Sequence, residues 1–303
     1  MKYYVAWYPT PADPKFWHWF QIDGILVSLS KIRGRDLKHA MAVGIHRYLD
    51  YDGSIFLDGG SFGYPHYQSP YTQFELLQMQ QWLRPNLFSH LDHPYVGRYL
   101  IPEAQKWELL ASTIENARVA TEWQRKHGEQ YAIVYTIQGW DLESVEYCAR
   151  KLSKLERQYY ALGSLIGVPA NEIIRRVSLV RKIIGPRPRL HLFGISNIPA
   201  LRIIAGKVDS FDSSTPTKAA AFKEIVTNNI ERQHVDTSHL NRCQCPICKM
   251  NPSVLPVKED AKGERKRFNT YRAIHNAYAI TEFVRGIQRL SPTGLARISE
   301  KKV

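Results

Sequence analysis

The hydrophobic and polar positions of the chain alternate between two kinds of segment. Short apolar runs bounded by Gly, Pro and polar residues are typical of buried strands. We predict such strands at residues 25–29, 54–58, 87–91, 131–136, 159–162, 190–194 and 208–212. Longer segments with apolar residues three or four positions apart predict helices at residues 72–83, 103–126, 142–162, 171–183, 199–205 and 217–228. The end of the 142–162 helix overlaps the 159–162 strand, so both assignments are kept there.

The order of these strands and helices predicts the fold class. Repeated alternation of strand and helix favours an α/β structure, most simply a (β/α)₈ TIM-like barrel whose eighth strand is not evident from the pattern. An open doubly wound sheet is the alternative. A chain of 303 residues, 44% of them hydrophobic, suffices for one large core. We therefore assign residues 1–303 to a single barrel domain.

Composition narrows the class of partner. The formal net charge is +13, and a large positive charge is typical of proteins that bind phosphate-rich polymers, although many basic proteins bind no nucleic acid. No apolar run approaches the roughly 18 residues of a membrane-spanning helix, and the first residues lack the apolar run of a secretory signal. We expect a cytoplasmic protein without a membrane partner.

A cysteine cluster near the C-terminal end predicts a metal site. Cys243, Cys245 and Cys248 lie within six residues, and His275 lies in a later helical pattern. Three thiolates and an imidazole form a tetrahedral Cys₃His set that binds Zn²⁺ structurally, because no position remains for water or substrate. A disulfide would leave an odd thiol and is disfavoured in the cytoplasm. We predict an inserted zinc-binding subdomain at about residues 240–280, with other histidines as alternatives to His275.

Two aspartates end predicted strands. Asp58 ends the 54–58 strand and Asp212 ends the 208–212 strand, the position at which α/β barrels display catalytic groups. Taken alone, Asp58 before Gly59-Gly60 indicates an ordinary turn, and Asp209 and Asp212 could cap a turn or the following helix. The remaining motifs favour a catalytic role for Asp58 and Asp212.

The motifs together resemble the tRNA-guanine transglycosylase family. They are Cys-x-Cys-x₂-Cys with a helical His-Asn, Val-Asp-Ser-Phe-Asp-x₃-Pro-Thr around Asp212, and Leu-Asp-Gly-Gly-Ser-Phe around Asp58. The resemblance extends from about Ile55 to about Ile280. It implies a (β/α)₈ barrel with an inserted zinc subdomain, which exchanges guanine in a polynucleotide for a 7-deazaguanine base. It also implies that Asp212 is the nucleophile and Asp58 the acid/base residue.

The same resemblance implies a set of residues that bind the base. The segments that would hydrogen-bond the base contain Asp92, Gln138, Gly139, Leu162 and Gly163. The side chains that would sandwich the base are Phe62 and Phe193. The residue types suit this chemistry: base displacement at C1′ requires a nucleophilic carboxylate and a second group for proton transfer, as in retaining glycosidases. Amide and carboxylate groups can match a guanine edge, and phenyl rings offer stacking faces.

One departure from the family pattern bears on the polynucleotide. Pro216-Thr217-Lys218-Ala219-Ala220-Ala221 stands where the tRNA enzymes usually have Pro-Thr-Arg-x-Gly-Arg, so a basic element is missing. We therefore find the chain most similar to the DNA-modifying branch and predict DNA as substrate, with a base such as 7-cyano-7-deazaguanine. The alternatives are tRNA, or a catalytically inactive zinc-containing nucleic-acid-binding protein, which would not explain why both Asp58 and Asp212 are present. The sequence leaves open whether the chain forms a homodimer or needs an accessory protein.

Overall fold

Eight parallel strands close into a barrel in the order in which they occur in the chain. The computed structural model describes residues 1–9, 13–63, 69–96, 101–128, 130–195, 197–227, 230–234, 240, 243–251, 255 and 264–290. The barrel strands are β1 (Lys2–Trp7), β2 (Gly24–Ser28), β3 (Ser54–Asp58), β4 (Leu87–Ser89), β5 (Ile133–Ile137), β6 (Tyr159–Leu162), β7 (Arg189–Leu192) and β8 (Ser210–Ser213). The predicted TIM-like barrel is thereby confirmed, and the open sheet is excluded.

The strand that the pattern did not reveal is β1. It is buried from Tyr3 to Trp7, as β2 and β5 are over their whole lengths, so burial does not distinguish it from the strands that were predicted. β1 pairs with β2 on one side and with β8 on the other, and Tyr4 lies opposite both Gly24 and Asp212. A Cβ atom on Gly24 would lie 2.7 Å from the Tyr4 ring, so a glycine is required where β1 closes the barrel.

The helices surround the barrel and differ in places from the predicted bounds. They are α1 (Gly34–Val43), α2 (Ile45–Leu49), α3 (Gln73–Leu83), α4 (Glu103–His127), α5 (Leu142–Ser153), α6 (Ala170–Ile184), α7 (Leu201–Ile204), α8 (Thr215–Ala221), α9 (Pro246–Met250) and α10 (Glu264–Leu290). The predicted 142–162 helix ends at Ser153, because Glu156 adopts a left-handed conformation (φ 53°) before β6 begins. The predicted 217–228 helix likewise ends early, at Ala221.

Side chains of the strands alternate between the inside of the barrel and the surrounding helices. Tyr4, Leu26, Phe56, Val134 and Ala161 form a small buried cluster separate from the main hydrophobic core. This alternation has a period of two residues. Asp58, two residues after Phe56, therefore faces the inside of the barrel at the C-terminal end of its strand.

The C-terminal part of the chain packs on α8. β9 (Glu224–Val226) and β10 (Arg232–His234) form an antiparallel pair, and α10 packs against α8, α9 and β9. Buried Asn276 on α10 donates to the carbonyls of Pro216 and Glu224 and accepts from the Val226 amide. These bonds attach α10 to the segment that follows the last barrel strand. The bounds of the zinc subdomain stay a prediction, since part of residues 240–280 lies outside the described ranges.

Among the described helices, none has the length together with the apolar character that a membrane crossing needs.

Candidate active site

A cavity of about 310 Å³ opens at the C-terminal ends of the barrel strands. All of the catalytic and base-binding residues predicted from the sequence line it, except Gly139 and Leu162. The other lining residues include Tyr8, Ser28, Lys31, Ser164, Gly194 and Lys218. Residues separated by up to about two thirds of the chain, from Tyr8 to Lys218, therefore meet at the end of the barrel where such folds place their active sites.

Asp212 lies on β8 and is 5% exposed. Its Oδ1 accepts a hydrogen bond from the Gly194 amide at 2.8 Å and lies 3.3 Å from Nε2 of His191. Nδ1 of His191 lies 2.9 Å from the Ser210 hydroxyl. The contacts from Gly194 and His191 both reach Oδ1 of Asp212. Among the described residues, Oδ2 is therefore the oxygen available to attack an electrophile in the cavity.

Asp58 ends β3 on the other side of the cavity. Burial of the carboxyl raises its pKa to about 6, and the charge of Asp212 shifts it in the same direction. Hydrogen bonds from the Gly60 amide, the Ser89 hydroxyl and the Ser28 hydroxyl oppose this rise in pKa. A carboxyl with such a pKa can both give and take a proton near neutral pH.

The amide that supports Asp58 requires a glycine. Gly60 has a φ of +88°, and a Cβ atom there would lie 2.7 Å from the Ser30 amide nitrogen. Both the left-handed conformation and this close approach exclude a side chain. The Gly-Gly sequence after Asp58 is therefore the turn that the sequence indicates, and it also holds the carboxylate.

Asp92 and Gln138 form a buried hydrogen-bonded pair in the wall of the cavity. Nε2 of Gln138 donates to Oδ2 of Asp92, and the Ser164 hydroxyl donates to Oε1 of Gln138 at 2.6 Å. Ser164 in turn accepts from the Tyr95 amide at 2.8 Å. Burial raises the pKa of Asp92 to about 7, with a further rise from the charge of Asp58. These groups present donors and acceptors at one wall of the cavity.

Two phenyl rings also line the cavity. Phe62 is 43% exposed, while Phe193 is partly buried with its ring centroid 4.9 Å from that of His191 and 5.4 Å from that of Phe56. A planar heterocycle that enters the cavity would meet an aromatic ring from each of the loops that follow β3 and β7.

Leu162 and Gly139 shape the site from outside the cavity. Leu162 packs in the core between barrel and helices, because the alternation of β6 turns its side chain outward, and its carbonyl accepts from the Phe193 amide at 3.0 Å. Gly139 lies against the start of α5, where a Cβ atom would be 2.6 Å from the Val145 nitrogen. Leu162 supports the backbone of cavity-lining Phe193, Gly139 allows the close approach of α5 next to cavity-lining Gln138, and neither presents a side chain to the cavity.

The predicted metal ligands lie together beside α10. The donor atoms of Cys243, Cys245, Cys248 and His275 all lie within 4.8 Å of one another. Nδ1 of His275 is 3.6, 3.4 and 3.4 Å from the three sulfurs. Tetrahedral zinc with its usual bond lengths places sulfur and nitrogen ligands about 3.6 Å apart. The donor set therefore fits a tetrahedral metal ion.

Hydrogen bonds to the ligands agree with this fit. Nε2 of His275 lies 3.2 Å from the Val226 carbonyl; if it donates there, Nδ1 keeps its lone pair for a metal. The amides of Cys245 and Cys248 donate to the sulfurs of Cys243 and Cys245, respectively. Cys148, the remaining cysteine, is buried in α5.

Comparison with known proteins identifies the family. A family model described as queuine tRNA-ribosyltransferase matches residues 26–290. The chain belongs to the queuine tRNA-ribosyltransferase family. The resemblance to tRNA-guanine transglycosylases found in the sequence is thereby confirmed, and the matched segment contains every residue of the cavity from Leu26 onward and all four metal-ligand candidates.

Relatives of this family member include archaeal enzymes. It is 30% identical over 266 residues to the tRNA-guanine(15) transglycosylase of Thermococcus onnurineus, covering 84% of this chain and 43% of the relative. It is 30% identical to the Pyrococcus furiosus protein of that name, covering 89% and 46%, and 26% identical to that of Methanopyrus kandleri, covering 90% and 59%. The chain thus spans about half the length of the curated relatives it matches.

Some residues of this transglycosylase-family site were missed by sequence reasoning. His191 carried a signal: it lies two residues before Phe193, so a strand places both side chains on the same side. Lys31 and Lys218 also line the cavity; Lys31 comes from a segment without a distinctive motif, and Lys218 lies in the segment that departs from the family's Pro-Thr-Arg-x-Gly-Arg pattern. Asp209, the other aspartate of this segment, lies just before β8, at the opposite end of the strand from the cavity, where it pairs with Arg181 at 3.0 Å and accepts from the Leu190 amide.

Proposed function

We propose that the protein is a guanine transglycosylase. It replaces a guanine in a polynucleotide with a 7-deazaguanine base such as 7-cyano-7-deazaguanine, through a sugar linked covalently to Asp212. The observation that carries this proposal is the position of Asp212 and Asp58 in one cavity with the Asp92–Gln138 pair. Two carboxylates supply nucleophile and proton transfer, and the pair supplies groups that can bind the edge of a purine.

The reaction has two displacements at C1′ of the target nucleotide. Oδ2 of Asp212 attacks C1′ and forms an ester, the C1′–N9 bond breaks with its electron pair passing to the guanine, and protonated Asp58 delivers a proton to the leaving base. The incoming 7-deazaguanine then attacks C1′ from the face that guanine left. Asp58 takes its N9 proton, and the Asp212 ester bond breaks. Because C1′ is inverted twice, its configuration is retained.

Recognition of the two bases uses the walls of the cavity. Asp92 and Gln138 bind the polar edge of the purine, and Gly163 leaves space for the Gln138 side chain. Phe62 and Phe193 hold the two faces of the ring. Since guanine and 7-deazaguanine share their pyrimidine edge, the same groups serve both halves of the exchange.

Two polynucleotides have specific support. The α8 segment favours DNA: Lys218 lines the cavity, while Ala219 and Ala220 are buried and offer no charge to a phosphate. The relatives favour tRNA, since each is a tRNA-guanine(15) transglycosylase. We take DNA as the primary substrate and tRNA as the second candidate. A polynucleotide of either kind enters with the target base unstacked, because the cavity accepts one base at a time.

We further propose that Cys243, Cys245, Cys248 and His275 hold Zn²⁺. When bound, the ion crosslinks the C-terminal segment and contributes to folding, with no part in the reaction. Its ligands fill a tetrahedron, and none of them lines the cavity that contains Asp212.

A covalent-adduct assay tests the function. Purified protein is incubated with a guanine-containing DNA oligonucleotide, or with a tRNA transcript, in the absence of an incoming base, and is then separated on a denaturing gel. We expect a protein–polynucleotide adduct that disappears when 7-cyano-7-deazaguanine is added. The added base should then appear in the nucleosides of the polynucleotide, detected by mass spectrometry. Asp212→Asn should abolish adduct and exchange. Exchange by Asp212→Asn would contradict the assignment, and modified nucleosides in tRNA alone would contradict the choice of DNA.

A further inference from the structure

Four aromatic side chains form a continuous row on the outside of the barrel. The ring of Tyr95 lies 4.9 Å from that of Trp140, Trp140 lies 5.0 Å from Trp107, and Trp107 lies 5.5 Å from Tyr147. Each contact is edge-to-face. The row therefore crosses from the loop after β4 to the outer surfaces of α4 and α5.

The row begins at the wall of the active-site cavity. The Tyr95 amide donates to the Ser164 hydroxyl, which donates to Gln138. Both neighbours of Tyr95, Pro94 and Val96, line the cavity. The first ring of the row is thus attached to the segment that binds the target base in the proposed function.

The far end of the row is exposed. Trp107 is 36% and Tyr147 43% exposed, whereas Trp140, in the middle of the row, is partly buried. Trp107 and Tyr147 are neighbours on the surface, so together they expose a larger continuous apolar area than an isolated exposed residue does. Faces of this kind can stack with nucleic-acid bases without regard to sequence.

Beyond Tyr147 the surface becomes a basic groove. A groove of about 700 Å³ between α5 and α6 is lined by Tyr147 and by the cations Arg150, Lys151, Lys154 and Lys182. Nζ of Lys151 lies 5.2 Å from the centroid of Tyr147. Glu146 is the acidic residue of the lining, and it pairs with Arg150. The positive charges of the three lysines are therefore not balanced by acidic residues of the lining.

We propose that these residues form a binding track for the strand of the polynucleotide that flanks the target guanine. The aromatic-basic track comprises Trp107, Trp140, Tyr147, Lys151, Lys154 and Lys182. Bases of the flanking strand stack on Trp107 and Tyr147, and its phosphates lie against the lysines of the groove. This combination of aromatic faces with a cationic groove is how proteins bind single strands independently of sequence. The inference rests on the proposed function only for its occupant, the polynucleotide substrate.

Charge favours this occupant over a second copy of the chain. A copy would bring its own net charge of +13 to an already cationic groove, and like charges oppose association. A polynucleotide supplies anionic phosphates together with flat bases, which match both parts of the track. Its binding also releases counterions and therefore weakens with salt.

The experiment measures binding separately from exchange. A fluorescently labelled single-stranded DNA oligonucleotide with one guanine, and the RNA of the same sequence, are titrated with the full-length protein at several salt concentrations. The variants are Trp107→Ala with Tyr147→Ala, and Lys151→Glu with Lys182→Glu. Matched controls are Trp82→Ala, another exposed Trp on α3, and Lys38→Glu, an exposed lysine on α1. Thermal unfolding of each variant verifies that it is folded.

We expect the aromatic pair to weaken binding roughly 10- to 100-fold. The charge-reversal pair should weaken binding and flatten its salt dependence, while the controls bind like the unaltered protein. Equal binding by track variants and unaltered protein would overturn the proposal, even if base exchange is observed. Absence of binding to both polymers would overturn it as well. Track-dependent binding without any exchange would support the track and contradict the transglycosylase assignment.

Discussion

The Asp212 carboxylate lies 3.3 Å from Nε2 of His191, and the Ser210 hydroxyl lies 2.9 Å from Nδ1 of the same ring. Ser210 is paired with His191 across β7 and β8 and is two residues before Asp212 on the same side of its strand. If the hydroxyl donates to Nδ1, the proton of the neutral ring is on Nε2 and points at the carboxylate. The ring then fixes Oδ1 of Asp212 and leaves Oδ2 directed to the cavity.

This relationship predicts a positioning role for His191. His191→Ala should slow formation of the covalent adduct at least about tenfold, because the nucleophile loses its orientation, while polynucleotide affinity changes little. Single-turnover gel assays and fluorescence titration measure the two quantities. His191→Gln, whose amide can donate to Asp212, should recover part of the rate. A loss of affinity with an unchanged rate would show that the ring serves substrate binding instead.

The raised pKa of Asp58 predicts a pH dependence of guanine departure. The carboxyl must be protonated to donate, and its pKa is about 6, so adduct formation should fall as pH rises through about 6. Asp58→Asn should be slow and should lack this dependence, while it still binds the polynucleotide. Single-turnover adduct formation between pH 5 and 8 measures the profile. A flat profile for the unaltered protein would contradict the role of Asp58 as proton donor.

The raised pKa of Asp92 predicts an effect on stability. Its pKa is about 7 in the fold against an ordinary 3.8, so the folded state holds the proton more tightly. The stability from this group is full below about pH 4 and is lost as pH rises through 7. The stability advantage of Asp92→Asn over the unaltered protein should therefore increase by about 3 kcal/mol from pH 5 to pH 8. Urea unfolding of both proteins at pH 5 and pH 8 measures their free energies of unfolding. A stability advantage of the variant at pH 5 alone would contradict the raised pKa of Asp92.

Periodicity was sufficient for most of the fold. It predicted the strand that ends in Asp58, and it predicted a strand at 208–212 that contains Asp212 and is observed at Ser210–Ser213. It missed β1, although β1 is a buried apolar run like the predicted strands, and it missed α1, where only Leu37 and Ala40 are buried. A helix that buries so few side chains has too weak an apolar stripe for its period to be evident.

The site was predictable only where a motif carried it. Asp58, Asp92, Gln138 and Phe193 were assigned by resemblance, and all of them line the cavity. Ser164 acts through hydrogen bonds between residues that are distant in sequence, whereas His191 could have been found from its position two residues before Phe193. Leu162 was included because its neighbour Gly163 belongs to a base-binding segment, yet strand alternation alone turns its side chain away from the cavity.

The metal proposal predicts one zinc per chain and a loss of folding without it. Cys245→Ser should lose the metal and lower the thermal unfolding temperature, because ion binding contributes directly to folding. Elemental analysis and calorimetry measure these effects. Cys148→Ala is the matched control, since Cys148 lies in α5 far from the cluster in sequence, and should keep its zinc. A metal-free preparation with the unfolding temperature of the zinc-loaded protein would contradict a structural role.

Gly163 lies so close to Gln138 that a side chain at position 163 would disturb the groups proposed to bind the base. A Cβ atom on Gly163 would lie 2.4 Å from Nε2 of Gln138, so Gly163→Ala must displace that side chain and break its bonds to Asp92 and Ser164. We expect the KM for the incoming base to rise about tenfold or more, since buried groups are then left unpaired. Gln138→Ala, the matched variant, should raise this KM comparably without the steric clash. Steady-state exchange at varied base concentration measures both, with thermal unfolding to verify the fold. If Gly163→Ala slows adduct formation and leaves this KM unchanged, the Asp92–Gln138 pair acts on the leaving guanine alone, and a shared pocket for both bases is ruled out.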